Sequence, residues 1–338
     1  MTQGISPIIK EKAPLILAEI KKAKSILLHC HPAPDPDSVG SALAMKLALE
    51  GLGKKATVIR GDSNMPQAFM HFPGAEGIVQ KNFFEADLKD FDLFISLDSA
   101  DLGLISRRGK VAFPEWLKVV NIDHHPTNPN YGSINLVEPS YPATGQVLFD
   151  LFGEWGIEIT PDIAADLFVA TYSDTGGLKY EGVTAHTYEI MTVLSRLIDD
   201  IPRLIRKMEN LNTPGFMKFA SAALGGVEAV GGKAALTFVP HAVLKENALT
   251  ADDIFTSEIS SLLMTVPQWV ITGCGVEIEP NKVKFSFRSA DENKYDVSKL
   301  ATALGGGGHG AASGAILSMP LEEAKRLVVA KAKELYNL

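Results

Sequence analysis

Asp123-His124-His125 constrains this chain more than any other stretch of it. The tripeptide closes an apolar run (Leu117, Val119, Val120, Ile122) and opens a turn rich in Pro and Asn. A carboxylate and two imidazoles at the mouth of a strand are expensive in a core and well suited to a divalent cation. The same arrangement recurs. Ser25 to Leu28 leads into His31, Asp35 and Asp37, Phe91 to Leu97 into Asp98, and Ile163 to Tyr172 into Asp174-Thr175-Gly176. Acidic or histidine clusters placed wherever apolar runs stop are how an α/β sheet collects a site at one edge.

The remaining pattern agrees with such a sheet. Helix is expected over 7–23, 38–52, near 101–108, 143–156 and 161–172, with strands at 25–30, 55–60, 92–97 and 117–122. The alternation predicts a parallel sheet with helices on both faces. Segment 185–226 reads as helical, broken at Pro202 and Pro214. Beyond 233 the pattern predicts strands at 234–239, 269–278, 282–288 and 314–318, with helices near 251–263, 296–303 and 320–336. With 338 residues, more than one domain is the default. The expected division is a first α/β domain over 1–195, a helical connector over 196–230 and a smaller α/β domain over 231–338.

Bulk properties narrow the partners. No apolar stretch is long enough to span a membrane, and Cys30 and Cys274 lie far apart outside any C-x-x-C, so a cytoplasmic location is the expectation. Long duplexes are held by basic stripes. The formal net charge here is −8, which argues against such a partner; an acidic chain with metal-type ligands is better matched to a small anionic substrate, the metals supplying local positive charge.

The chemistry lies in the loops. His31, Asp35 and Asp37 form H-x-x-x-D-x-D, stiffened by Pro32, Pro34 and Pro36. A competing reading makes Asp37 or Ser38 a simple helix cap, which leaves His31 and the other carboxylate unexplained. For Asp101 the capping reading is the better one. His29 falls two residues before His31 on the same strand and is expected at the edge of the site. Imidazoles and carboxylates without thiolate suit Mn²⁺ or a similar octahedral ion, and so many carboxylates suggest two ions sharing one Asp. In the C-terminal half, Arg288 offers a fork for phosphate, and Gly305 to Gly308 with His309 would make an anion-binding nest.

Taken in order, these motifs resemble those of the DHH phosphoesterase superfamily, nearest the nanoRNase type, and the glycine-rich piece resembles its associated C-terminal substrate-binding domain. The resemblance implies two Mn²⁺ ions, with Mg²⁺ or Co²⁺ as alternatives. His31, Asp35 and Asp98 would hold one ion; Asp37, Asp98, His124 and Asp174 the other. His125 would contact the scissile phosphate and Asp123 would orient the histidine pair. Arg288, Gly306, Gly307, Gly308 and His309 would grip the substrate across an interdomain cleft. It also implies hydrolysis of short oligonucleotides, linear dinucleotides or 3′-phosphoadenosine 5′-phosphate (pAp), without long duplex or membrane partners, and leaves room for a homodimer. Pyrophosphate or short polyphosphate hydrolysis and a catalytically silent nucleotide sensor are the alternatives. Departures from the family pattern are Pro36 where Gly is usual, Leu178-Lys179 where an aromatic and an Arg are common, and Gly310 after His309.

Overall fold

The computed structural model describes residues 4–180, 182–209 and 213–338; part of the segment expected as connector, residues 210–212, lies outside the described residues. The chain divides into two compact units, Met1–Leu211 and Asn212–Leu338. The division falls inside that segment, with one of its helices in each unit.

The first unit contains α1 (Pro7–Lys22), β1 (Ser25–His29), α2 (Pro36–Gly51), β2 (Lys55–Ile59), β3 (Leu93–Leu97), β4 (Lys118–Asp123), β5 (Ile134–Val137), α3 (Thr144–Trp155), α4 (Pro161–Asp174), α5 (Ala185–Ser195) and α6 (Ile201–Glu209). The strands pair in parallel in the order β2-β1-β3-β4-β5. The chain turns left from β1 to β2 and then right from β3, which opens a crevice at the carboxyl ends of β1 and β3. His31 and Asp98 follow those two strands.

The sheet is covered unequally. Ile26, Leu28, Ile95, Val120 and Ile122 face a core shared with α1 to α5, whereas Leu27, Phe94, Val119 and Leu117 face a smaller one. That smaller core is closed by Phe83, Ile105 and Val111, which come from loops and single 3₁₀ turns. Helices on both faces were expected; among the described residues α-helices cover one face only. The helix expected near 101–108 is a 3₁₀ turn over Leu102–Leu104, begun by Asp101, whose carboxylate accepts from the Gly103 N–H at 2.6 Å. Helix α2 is apolar on nearly every side and runs centrally through the larger core, as such a helix must.

The second unit contains α7 (Pro214–Gly225), β6 (Glu228–Val230), β7 (Ala234–Val239), α8 (His241–Glu246), α9 (Thr256–Leu263), β8 (Ile271–Glu279), β9 (Lys282–Ser289), α10 (Val297–Ala303), β10 (Gly307–Gly308), β11 (Ala312–Leu317) and α11 (Leu321–Tyr336). Its sheet runs β10-β11-β9-β8-β7-β6, antiparallel except between β7 and β8. Phe285, Phe287, Ala315 and Leu317 pack against α10 and α11. On the other face Cys274 and Val276 pack against α7 to α9. Among the described residues no helix is long and apolar enough to cross a membrane.

Candidate metal centre

The loop after β1 is built to stand still. Asp35 has extended backbone and caps α2, accepting from the Ser38 N–H at 2.8 Å, and Pro36 takes the first helical position, where its missing N–H costs nothing. The cap is therefore Asp35, which leaves Asp37 to a different use. The Ser38 hydroxyl in turn accepts from the His31 N–H at 2.9 Å. Gly61 lies so close to the His31 carbonyl that a Cβ would sit 1.6 Å from its oxygen, so only glycine can hold the loop from that side.

Asp37 is fully buried and holds the start of α3. It accepts from Thr144 N–H at 2.8 Å, Gly145 N–H at 3.0 Å and the Ser41 hydroxyl at 3.0 Å. The cap residue of α3, Ala143, has no side chain for the task, so Asp37 supplies the anion from another element. Gly145 allows this: a Cβ there would lie 2.6 Å from that of Ala170 on α4.

Asp98 leaves β3 with φ of 54°, a left-handed conformation that a non-glycine residue adopts at a cost of order 1–3 kcal/mol. The turn directs its carboxylate inward. Oδ2 lies 3.6 Å from His31 Nε2, and Oδ1 lies 3.4 Å from His124 Nε2 and 3.9 Å from His125 Nδ1. Thr144 donates to Oδ1 at 3.0 Å. Asp174, the last residue of α4, brings Oδ2 to 3.3 Å from His124 Nε2, and Asp35 Oδ2 lies 3.5 Å from His31 Nδ1.

Among the described residues three groups of ligand atoms result, each with members within 4.8 Å of one another: His31, Asp35 and Asp98; Asp37, His124 and Asp174; and Asp98, Asp123, His124 and His125. Asp98 and His124 each belong to two of them. The six residues expected as metal ligands are thus brought together, with Asp98 in the middle. His29 is outside all three groups. It is buried against Phe94, ring centroids 5.3 Å apart, and bonded to Ser96 Oγ at 3.0 Å. Burial and the neighbouring His31 lower its pKa to about 3.

Charge shows what the centre requires. Burial first, then Asp98 and Asp174, pushes the Asp37 carboxyl well above its usual range; burial also raises Asp98. Burial disfavours charge on His124 and His31 as well, but the carboxylates outweigh it. Asp174, Asp98 and Asp37 lift His124 to about 11, and Asp98 and Asp35 lift His31 to about 9. Carboxylates this crowded require a countercharge, which a divalent cation can supply. His124 Nε2 is buried without a hydrogen-bond partner among the described residues, while its Nδ1 donates to the Tyr141 carbonyl at 3.3 Å. An imidazole fixed through one nitrogen, with the other orphaned among carboxylates, fits a metal ligand.

Asp123 orients the histidine pair, and Asp123 is itself held by a residue that sequence reasoning missed, Asn128. Asp123, fully buried, accepts from His125 Nδ1 at 2.8 Å and from the His124 N–H at 2.9 Å. Its other oxygen accepts from Asn128 at 2.6 Å, and Asn128 also donates to the Ser99 carbonyl at 3.1 Å. Asn128 sits in the turn after the histidines, and only its place between two prolines' worth of turn sequence hinted at a fixed role. Thr144 was also missed, because nothing near it in the chain signals a partner.

In the second unit the expected substrate residues separate. Arg288, Gly306 and parts of β9 and β11 line a cavity of about 590 Å³. Gly307 and Gly308 pair with β11 as a short strand, with Gly308 at φ of 137°, and they and the exposed His309 do not line that cavity.

Comparison with known proteins places this geometry. Residues 25–171 match the DHH family, N-terminal domain. The chain carries a DHH-family domain. It is 29% identical to the bifunctional oligoribonuclease and PAP phosphatase NrnA of Thermus thermophilus, over 94% of this chain and 93% of that one. It is 26% identical to a probable protein of the same name from Streptococcus mutans, over 89% and 92%. In fold it is similar to an exopolyphosphatase-related protein from Bacteroides fragilis, with a TM-score of 0.88, 22% identity and complete coverage of both chains.

Proposed function

We propose that this phosphoesterase hydrolyses very short oligoribonucleotides or linear dinucleotides to mononucleotides, and pAp to AMP, with two divalent cations at the carboxyl edge of its parallel sheet. The carrying observation is Asp98, held in a left-handed turn and common to two of the three ligand groups. His31, Asp35 and Asp98 would hold one cation, and Asp37, Asp98, His124 and Asp174 the other. Such a pair supplies an activated water and neutralises charge on a phosphoryl group. Mn²⁺ suits this donor set first, with Mg²⁺ and Co²⁺ as alternatives.

The protein's own groups do the rest. His125 is fixed by Asp123, which accepts from its Nδ1 at 2.8 Å and leaves Nε2 to contact a substrate oxygen. Arg288 and Gly306 bind a further phosphate of the substrate. The substrate class is supported by the relatives, whose names pair oligoribonuclease with PAP phosphatase across nearly their whole lengths.

Chelator-treated protein restored with Mn²⁺ and offered pAp, a dinucleotide, a long single strand and pyrophosphate should hydrolyse the first two. Asp98→Asn should lower turnover of both by about a thousandfold or more and abolish the rise in Tm that Mn²⁺ gives the native protein. Retained turnover and Tm response in Asp98→Asn, or a preference for pyrophosphate, overturns the reading.

A further inference from the structure

The second unit has another cavity, of about 500 Å³, beside the one that contains Arg288. Its apolar lining comes from Leu244, Leu249, Ile254 and Ile278, and Lys245 of α8 and Lys284 of β9 add two ammonium groups. Neither lysine has an ion-pair partner among the described residues. The one acid in the lining, Glu279, is paired with Lys282 at 3.0 Å. An apolar lining with an excess of positive charge, in a chain of net charge −8, selects an amphiphilic anion.

Lys284 joins the two cavities, for it lines both. On β9, Lys284, Ser286 and Arg288 alternate with the buried Val283, Phe285 and Phe287, so the two cations share one face of the sheet. Four residues of strand separate them by about 13 Å. At the ~3.4 Å rise of a stacked strand, that spans three to four nucleotides.

We infer that the Lys245–Lys284 cavity is a second nucleotide subsite, which receives a phosphate and base of the substrate strand beyond the nucleotide held at Arg288. This rests on the proposed oligonucleotide activity and adds a length preference to it. Strands of three to five nucleotides then gain contacts that pAp and dinucleotides cannot make.

The full-length protein carrying Lys245→Ala and Lys284→Ala together tests this, with pAp, a dinucleotide, a trinucleotide and a pentanucleotide as substrates. The loss in kcat/KM should grow with length, reaching about tenfold for the pentanucleotide, and should lie in KM. The dependence of log KM on log salt for the pentanucleotide should flatten by about 1.4, two single-strand phosphate contacts. The Lys245→Arg, Lys284→Arg pair should restore both. A loss equal at every length, or an unchanged salt slope, overturns the subsite and leaves the oligonucleotide activity standing. Failure of the native protein to hydrolyse any of the four overturns that activity and the subsite with it.

Discussion

Asn128 supports the proposed centre without belonging to any of its ligand groups. It ties Asp123 to the Ser99 carbonyl, and Asp123 sets the ring of His125. Asn128→Ala leaves Asp123 Oδ2 without its donor but removes no ligand. Losses of such supporting partners typically cost 10–100-fold. We expect kcat to fall by roughly that factor, with little change in the Tm gained from Mn²⁺. A variant with native kcat would show that the Asp123 carboxylate holds its place without Asn128. At this scale the sequence was most informative: His31, Asp35, Asp37, Asp98, His124 and Asp174 all interrupt apolar or rigid segments, where charge stands out. Asn128 and Thr144 did not stand out, since a polar residue in a turn or at a helix start is ordinary and its bond goes to a residue distant in sequence.

Helix α4 carries a carboxylate of the opposite kind. Asp166 is fully buried, near the closest approach of α4 to Gly40 of α2, and neither oxygen has a hydrogen-bond partner among the described residues. Burial, with Asp162 and Glu76 nearby, raises its pKa well above the ordinary value. Below the unfolded pKa both states hold the proton and the group is silent. As pH rises past that point only the unfolded chain ionises, so native stability falls until the folded pKa is reached. Asp166→Asn removes this dependence. It should be more stable than the native protein near neutral pH by about 1–3 kcal/mol, an advantage that shrinks toward pH ~4 in urea melts. A difference independent of pH contradicts this account.

Elements were legible where their side chains carry a hydrophobic pattern and hidden where they do not. Strands β1, β3 and β4 are continuous apolar runs, as strands buried on both faces must be. Strand β5 is a half-exposed edge of four residues, and β10 is two glycines paired through backbone alone, so neither has a side-chain pattern to read. The one-sided helical cover was hidden for a related reason. Phe83, Ile105 and Val111 reach the sheet singly from loops, without helical period.

At the scale of the whole molecule, each unit has a core of its own. The first is built on the parallel sheet and α1 to α5, the second on Phe285, Phe287 and Leu300 on one face and Phe216, Phe219 and Ile259 on the other. A segment of this size with two well-filled faces is within the range of independent folding. Residues 213–338 expressed alone should therefore give a single cooperative thermal transition, followed by circular dichroism. A broad, non-cooperative melt would show that the second sheet needs the rest of the chain.

The position of Asp37 has a mechanical consequence. One carboxylate belongs to the proposed cation site and also moors the first turn of α3, so the two cannot be adjusted separately. Whatever draws charge from its oxygens slackens that mooring, and a shift of α3 drags the ligand along. A cation bound at the sheet edge would in this way be felt directly by the helical layer behind it.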